Sequence, residues 1–160
     1  MIAAAALAAC RIAPAGLPQD HARAIVDSVG ATFADFVARF NARDVDSVAR
    51  FYSDAPDFHW MEDGDMRYSS RSDIRAALQR LAVFRDVRFS ADPPRIVALA
   101  PGAATIAVTF DQALVDSTGG GIGVVGAMTI AVVRGPAGWK WRNGHTSLRR
   151  EPVQPPTGRR

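Results

Sequence analysis

The residues best suited to chemistry crowd into one stretch, Trp139-Lys140-Trp141-Arg142-Asn143-Gly144-His145-Thr146-Ser147. Read as a strand, with side chains alternating between faces, it puts Trp139, Trp141, Asn143, His145 and Ser147 on one side and Lys140, Arg142 and Thr146 on the other. The first face runs from two indoles to an amide, an imidazole and a hydroxyl. Such a face is the wall of a pocket with an apolar depth and a hydrogen-bonding mouth. Trp and His are also ordinary half-buried sheet residues, so the surrounding elements decide between the two readings.

The chain has 160 residues, 48% hydrophobic and 22% charged, the balance of one folded domain rather than of a disordered chain. Its formal charge is +3. Arg149, Arg150, Arg159 and Arg160 against Glu151 account for all of it, and residues 1–147 are formally neutral. A neutral domain without a Lys/Arg stripe has no footprint for phosphates, which argues against nucleic acid as a partner. Residues 149–160 read as a flexible, basic, Pro-rich tail.

Met1 to Ala9 is an Ala/Leu/Ile run ending in Leu7-Ala8-Ala9-Cys10, which resembles a bacterial lipobox. In that reading residues 1–19 are a lipoprotein signal and tether, and Cys10 is the lipidated first residue of a mature protein in the cell envelope or periplasm. The competing reading is an Ala-rich helix with an incidental Cys in a cytoplasmic protein. A lipid at Cys10 is the one membrane contact expected, since no later stretch approaches a span.

From residue 20 the pattern is helical. Asp20 is placed to cap a helix reaching about Ala42, in which Ile25, Val29, Phe33, Phe36 and Phe40 recur at spacings that make one buried stripe. Asp44 caps a short second helix with Val45, Val48 and Tyr52 or Phe51 on its inner side. Asp57 to Met61, the acidic turn Glu62-Asp63-Gly64-Asp65 and Met66 to Ser69 form a hairpin. The acidic turn lacks the alternating ligands of a calcium loop. Ser70-Arg71-Ser72-Asp73 is a capping box for a third helix carrying Ile74, Leu78 and Leu81. The period then changes to that of strands over 87–89, 95–100, 105–116, 123–134 and 139–148, separated by Pro- and Gly-rich breaks. Helices first and antiparallel strands after predict an α+β domain over residues 20–148.

The order of these elements, with Phe40-Asn41-Ala42-Arg43-Asp44-Val45-Asp46-Ser47-Val48-Ala49-Arg50-Phe51-Tyr52 and the Gly138-Trp139-Lys140-Trp141 to Gly144-His145-Thr146-Ser147 strand, resembles the nuclear transport factor 2-like superfamily. Within it, the nearest likeness is to the SnoaL-like and ketosteroid-isomerase-like branch of small bacterial DUF4440-type domains. The resemblance implies a cone, a strongly bent antiparallel sheet wrapped around the helices with a pocket inside, the cystatin-like fold. It also implies homodimers paired through the outer sheet face. The isomerase's base and its two acidic donors fall at His59, Phe36 and Thr129, none of which matches, so the resemblance is to the fold without the steroid isomerase site.

Other members of the superfamily use His/Asp pairs in the cone. The corresponding catalytic candidates are His59, Asp111 and His145, with His as a base near neutral pH and Asp as its orienting partner. Asp111 interrupts an otherwise apolar strand; facing inward it would need a partner, facing outward it would be solvated. No helical i, i+4 or CxxC spacing supports a metal, and no cofactor is expected. Three functions follow. The first is a site for a small apolar or amphipathic molecule, walled by Phe36, Phe40, Trp60, Tyr68, Trp139 and Trp141 with Asn143 and His145 as polar contacts. The second is a lyase, isomerase or hydrolase using the His/Asp set. The third is an interaction module whose cone is filled by its own side chains.

Overall fold

The computed structural model describes residues 16–152, and Cys10 with the run expected to be a lipobox lies outside the described residues. Helix α1 spans Gln19–Asn41 and buries Ile25, Val29, Phe33 and Phe36, the apolar stripe of the sequence. Pro18 rather than Asp20 occupies the cap position; Asp20 sits in the first turn, where the helix dipole favours a carboxylate. Helix α2, Val45–Ala49, is capped by Asp44, which accepts from the Ser47 amide at 3.1 Å. The hairpin of β1 (His59–Glu62) and β2 (Asp65–Tyr68) turns at Asp63 and Gly64, both at positive φ, as its tight turn demands. Helix α3 is Arg71–Arg80, with Ser70 accepting from the Asp73 amide and Asp73 from the Ser69 amide. The remaining strands are β3 Asp86–Ala91, β4 Arg95–Ala100, β5 Ala103–Val115, β6 Gly121–Gly135 and β7 Gly138–Pro152. Strand β7 thus continues past Leu148 into the segment expected to be tail.

The strands form one sheet in the order β2-β1-β7-β6-β5-β3, and β4 joins β5 on the edge that β3 also uses. β4 takes Ala103 to Ala107 of that edge and β3 takes Phe110 to Val115. The sheet is mixed rather than wholly antiparallel, because β1 runs parallel to β7. The chain leaving α2 is already laid along β7, with the Ser53 amide donating to the Trp141 carbonyl at 2.9 Å and the Trp141 amide to the Phe51 carbonyl at 2.8 Å.

One face of the sheet packs on α1. Alternation along β5 turns Ala104, Ile106, Val108 and Phe110 inward and leaves Ala107, Thr109 and Asp111 exposed. Along β6 it turns Val124, Met128, Ile130 and Val132 inward. The end of α1 is tied to β3 by Asn41, whose amide both donates to the Phe89 carbonyl and accepts from the Phe89 amide, each at 2.8 Å. Arg43 anchors the next turn by donating to the carbonyls of Leu81, Phe84 and Arg85. A scaffold closed around its helix in this way fixes which sheet positions look into the cone.

Candidate functional site

Strand β7 does not alternate evenly. Trp141 lies opposite Val132 of β6 and Asn143 opposite the adjacent Ala131, so Arg142 is an extra residue, a β-bulge. One inserted residue exchanges the faces of everything beyond it. Trp139 and Trp141 point into the cone, and past the bulge Gly144, Thr146 and Leu148 take the inward positions. Asn143, His145 and Ser147 are therefore turned outward, which corrects the expectation that they share a face with the tryptophans. The Arg142 guanidinium leaves the strand to pair with Asp57 and to reach the Ser53 hydroxyl at 3.5 Å.

Before the bulge the cone is full. Trp141 is 1% exposed; its ring meets Phe36 edge-on at 4.3 Å, stacks on Phe51 at 5.1 Å and meets Tyr52 edge-on at 5.1 Å. Trp139 donates from its indole N–H to the Ser28 hydroxyl of α1 at 3.0 Å. Both indoles are core rather than pocket wall. Trp139 also borders a separate open cleft on the flank of the cone, beside Phe51 and Lys140.

Beyond the bulge the interior opens into a cavity of about 190 Å³. Phe36, Phe40, Tyr52, Trp60, Phe89 and Phe110 give its wall a largely aromatic character, and Tyr68 with Leu78 of α3 also lines it. Two glycines let rings lie against the strands. A Cβ on Gly144 would come within 2.5 Å of the Trp60 ring, and one on Gly126 within 2.5 Å of the Phe110 ring. Trp60 is held by its indole N–H donating to the Thr146 hydroxyl at 3.0 Å.

Polar groups are few at this end. Glu62, Gln112 and Thr146 join the two tyrosines in the lining, and no Lys, Arg or His is among the described residues that form it. Glu62 stands opposite Thr146 in the parallel register, with its side chain 25% exposed. It pairs with Arg67 of β2 at 3.5 Å. Burial pushes the Tyr52 hydroxyl well above its ordinary pKa, with Tyr68 and Glu62 adding to the effect, so Tyr52 acts as a neutral hydroxyl at any physiological pH.

The expected site residues divide. Phe36, Phe40, Trp60 and Tyr68 line the cavity, whereas Trp139 and Trp141 fill the opposite end and Asn143 faces outward. The catalytic set does not come together. His59 pairs in register with the outward Asn143, and its Nδ1 lies 3.1 Å from the Asp57 carbonyl. His145 is exposed opposite Thr129, and Asp111 is exposed opposite Ser90 and Val125. Thr129 pairs in turn with Ala107. Asp111 is therefore displaced from His145 by two strand spacings across the sheet, about 10 Å, and about 13 Å along it. All three sit on the convex side. Among the described residues no group of three or more His, Cys, Asp or Glu is arranged to hold a metal.

Sequence reasoning missed Glu62, Tyr52, Gln112 and Thr146 as cavity residues. For Glu62 and Gln112 the signal was present, since each stands two positions after an inward aromatic, Trp60 and Phe110. Thr146 was hidden by the bulge. Tyr52 read as one side of a short helix, although it lies just beyond that helix and bridges to β7.

The fold is the nuclear transport factor 2-like, cystatin-like cone. A scytalone dehydratase-like protein from Novosphingobium aromaticivorans superposes with a TM-score of 0.72 at 12% identity, over 89% of this chain and 94% of that one. A type 2 hexachlorocyclohexane dehydrochlorinase, LinA, gives 0.69 at 12% identity over 85% and 97%. A protein with a cystatin-like fold from Caulobacter vibrioides gives 0.63 at 22% identity over 81% and 90%. No protein-family model and no curated protein matches the chain. The likeness is one of fold, and the chemistry has to be argued from this chain's own cavity.

Proposed function

We propose that this protein binds a small apolar or amphipathic molecule in the wide end of its cone. The observation that carries the reading is the cavity of about 190 Å³ beside an end of the same cone packed solid with rings. An interior that can fill itself and does so at one end leaves the other hollow, aromatic and supplied with a few polar groups, the makeup of a ligand site. Binding is preferred to catalysis by His59, Asp111 and His145, because those three lie outside the cone and apart. It is preferred to a filled interaction module because only the narrow end is filled.

The test is titration with a neutral one-ring compound, 2-phenylethanol, followed by tryptophan emission, since Trp60 borders the cavity. Saturable binding that is lost in Ala77→Trp, which fills the space from α3, supports the reading. A response that never saturates sinks it.

The same proposal includes two further parts. Ala107, Thr109, Ala127 and Thr129 are exposed on the convex face and carry small side chains, which suits pairing of two copies through it. Light scattering of wild type and Thr129→Arg checks this, with a dimer expected to become a monomer. A lipid at Cys10, and with it an envelope location, is checked by the mass of the mature chain from bacterial membranes.

A further inference from the structure

The open cleft on the flank of the narrow end is lined by charge where the cone is lined by rings. It has a volume of about 410 Å³ and shares no lining residue with the cavity of the wide end. Arg39, Arg50 and Lys140 line it against one carboxylate, Asp35, and Ser47 adds a hydroxyl. The last turns of α1, the end of α2 and the start of β7 bring these side chains together.

The three cations are not equivalent. Arg39 is taken, since its guanidinium meets Asp35 at 3.1 Å and Asp44 at 3.6 Å. Arg50 and Lys140 make contact only with neutral groups among the described residues. The Arg50 guanidinium donates to the Ser47 hydroxyl at 2.7 Å, and the Lys140 ammonium donates to the Arg50 carbonyl. Asp44 acts on Arg50 and Asp54 on Lys140 through space. Both carboxylates are engaged elsewhere, Asp44 with Arg39 and the Ser47 amide and Asp54 with Arg71 at 3.0 Å. Burial and then the Arg71 charge lower the Lys140 pKa, and Arg50 adds to them against Asp54. A positive group crowded by other positive groups is stabilised by an anion laid beside it.

We propose that this cleft binds a phosphate-type oxyanion, free or as the head group of a small monoester, between the Arg50 guanidinium and the Lys140 ammonium. A guanidinium fork suits phosphate oxygens, and an ammonium adds a point charge. The Ser47 hydroxyl accepts from Arg50 and keeps its own proton to donate. A dianion also matches the lining, where three cations face one carboxylate. Two unpaired cations in one recess suit a single head group, and the extended basic stripe that nucleic acid needs is absent from them. Phe51 in the same lining offers apolar surface to the organic part of a monoester.

Inorganic phosphate, phenyl phosphate and benzoate test this, each titrated calorimetrically into the full chain at neutral pH with chloride holding the ionic strength constant. Phosphate is expected to bind saturably at one site per chain. Arg50→Gln and Lys140→Met should each weaken it about tenfold, the loss of one charge-assisted contact. Neither side chain holds a carboxylate, so the fold tolerates both changes. Arg88→Gln removes the same charge from β3, which β5 and β6 separate from β7. That side chain is 80% exposed, and its loss should leave phosphate binding unchanged. Phenyl phosphate binding about threefold or more tighter than inorganic phosphate assigns the site to a monoester, and equal or weaker binding assigns it to the free ion. Benzoate, with the same ring and a single charge, is expected to bind weakest. The proposal is overturned by phosphates that do not saturate, by benzoate as tight as phenyl phosphate, by phosphate binding that survives Arg50→Gln and Lys140→Met, or by an equal loss in Arg88→Gln. None of these outcomes touches the reading of the cone cavity, which the 2-phenylethanol titration decides separately.

Discussion

The two halves of β7 sit in one strand, face the same helix and do opposite things. Up to Trp141 the strand supplies indoles that lock the narrow end against Phe36, Phe51 and Ser28. After Arg142 it turns Gly144, Thr146 and Leu148 inward, and Thr146 and Leu148 line the cavity. One strand is thus core on one side of a bulge and site on the other. The difference lies in side-chain volume and in parity, and parity is set by a single residue. One end of the cone is packed with rings, and the other holds the cavity proposed above as the ligand site.

Removing Arg142 is the most direct way to break this division. Deletion would turn Gly144, Thr146 and Leu148 outward and drive Asn143, His145 and Ser147 into the core, burying polar groups without partners. The expected result is loss of a cooperative thermal transition by circular dichroism; a wild-type melt would show that the bulge does not set the faces. Trp141→Ala leaves the division in place and empties the narrow end. It is expected to cost about 3–5 kcal/mol in urea denaturation. A loss under about 1 kcal/mol would contradict the assignment of that end as the main core.

At the wide end the effect should be smaller. Thr146→Val keeps the shape but takes away the acceptor of the Trp60 indole, at an expected cost of about 1–3 kcal/mol for a buried donor left unpaired. Trp60 emission should shift with it. An unchanged spectrum and melt would mean that this hydrogen bond does not hold the ring. The smallest effect concerns the caps of α2 and of α3, the helix that walls the cavity. The Ser47 hydroxyl and amide hold Asp44 below the usual carboxylate range, and the Ser70 hydroxyl with the Ser69 amide does the same for Asp73. Carboxylates depressed in the folded state add stability above their unfolded pKa of about 3.9 and lose it as pH falls through the lower folded values. Below about pH 4 the melting temperature should therefore fall less steeply in Asp44→Asn/Asp73→Asn than in wild type. Parallel acid profiles would assign the decline to other groups.

Much of the architecture was legible because it is written locally. The stripe from Ile25 to Phe36 has a helical period and is buried as such. Asp44 and Ser70 carry cap chemistry, and both accept the expected amide hydrogen bonds. Asp63-Gly64 asks for positive φ and turns a hairpin. Each of these depends on the backbone a few residues away, so the order of residue types is sufficient to specify it. The rings of the cavity were readable to the same extent, through Phe36, Phe40, Trp60 and Tyr68, because inward aromatics obey the period of their own element.

What the order of residues could not settle was anything that required counting across strands. A bulge is invisible along its own strand, since Arg142 becomes the extra residue only when Asn143 pairs with Ala131 and Trp141 with Val132. The parallel pairing of β1 with β7 joins residues more than eighty positions apart, and it alone brings Glu62 beside Thr146 and the Trp60 ring over Gly144. By itself, then, the sequence determined the helices, their caps, the turns and the supply of rings, all set by local backbone preference and hydrophobic period. The tertiary structure decided which of those rings fill the cone and which surround its cavity, because facing and register exist only between strands once they are paired.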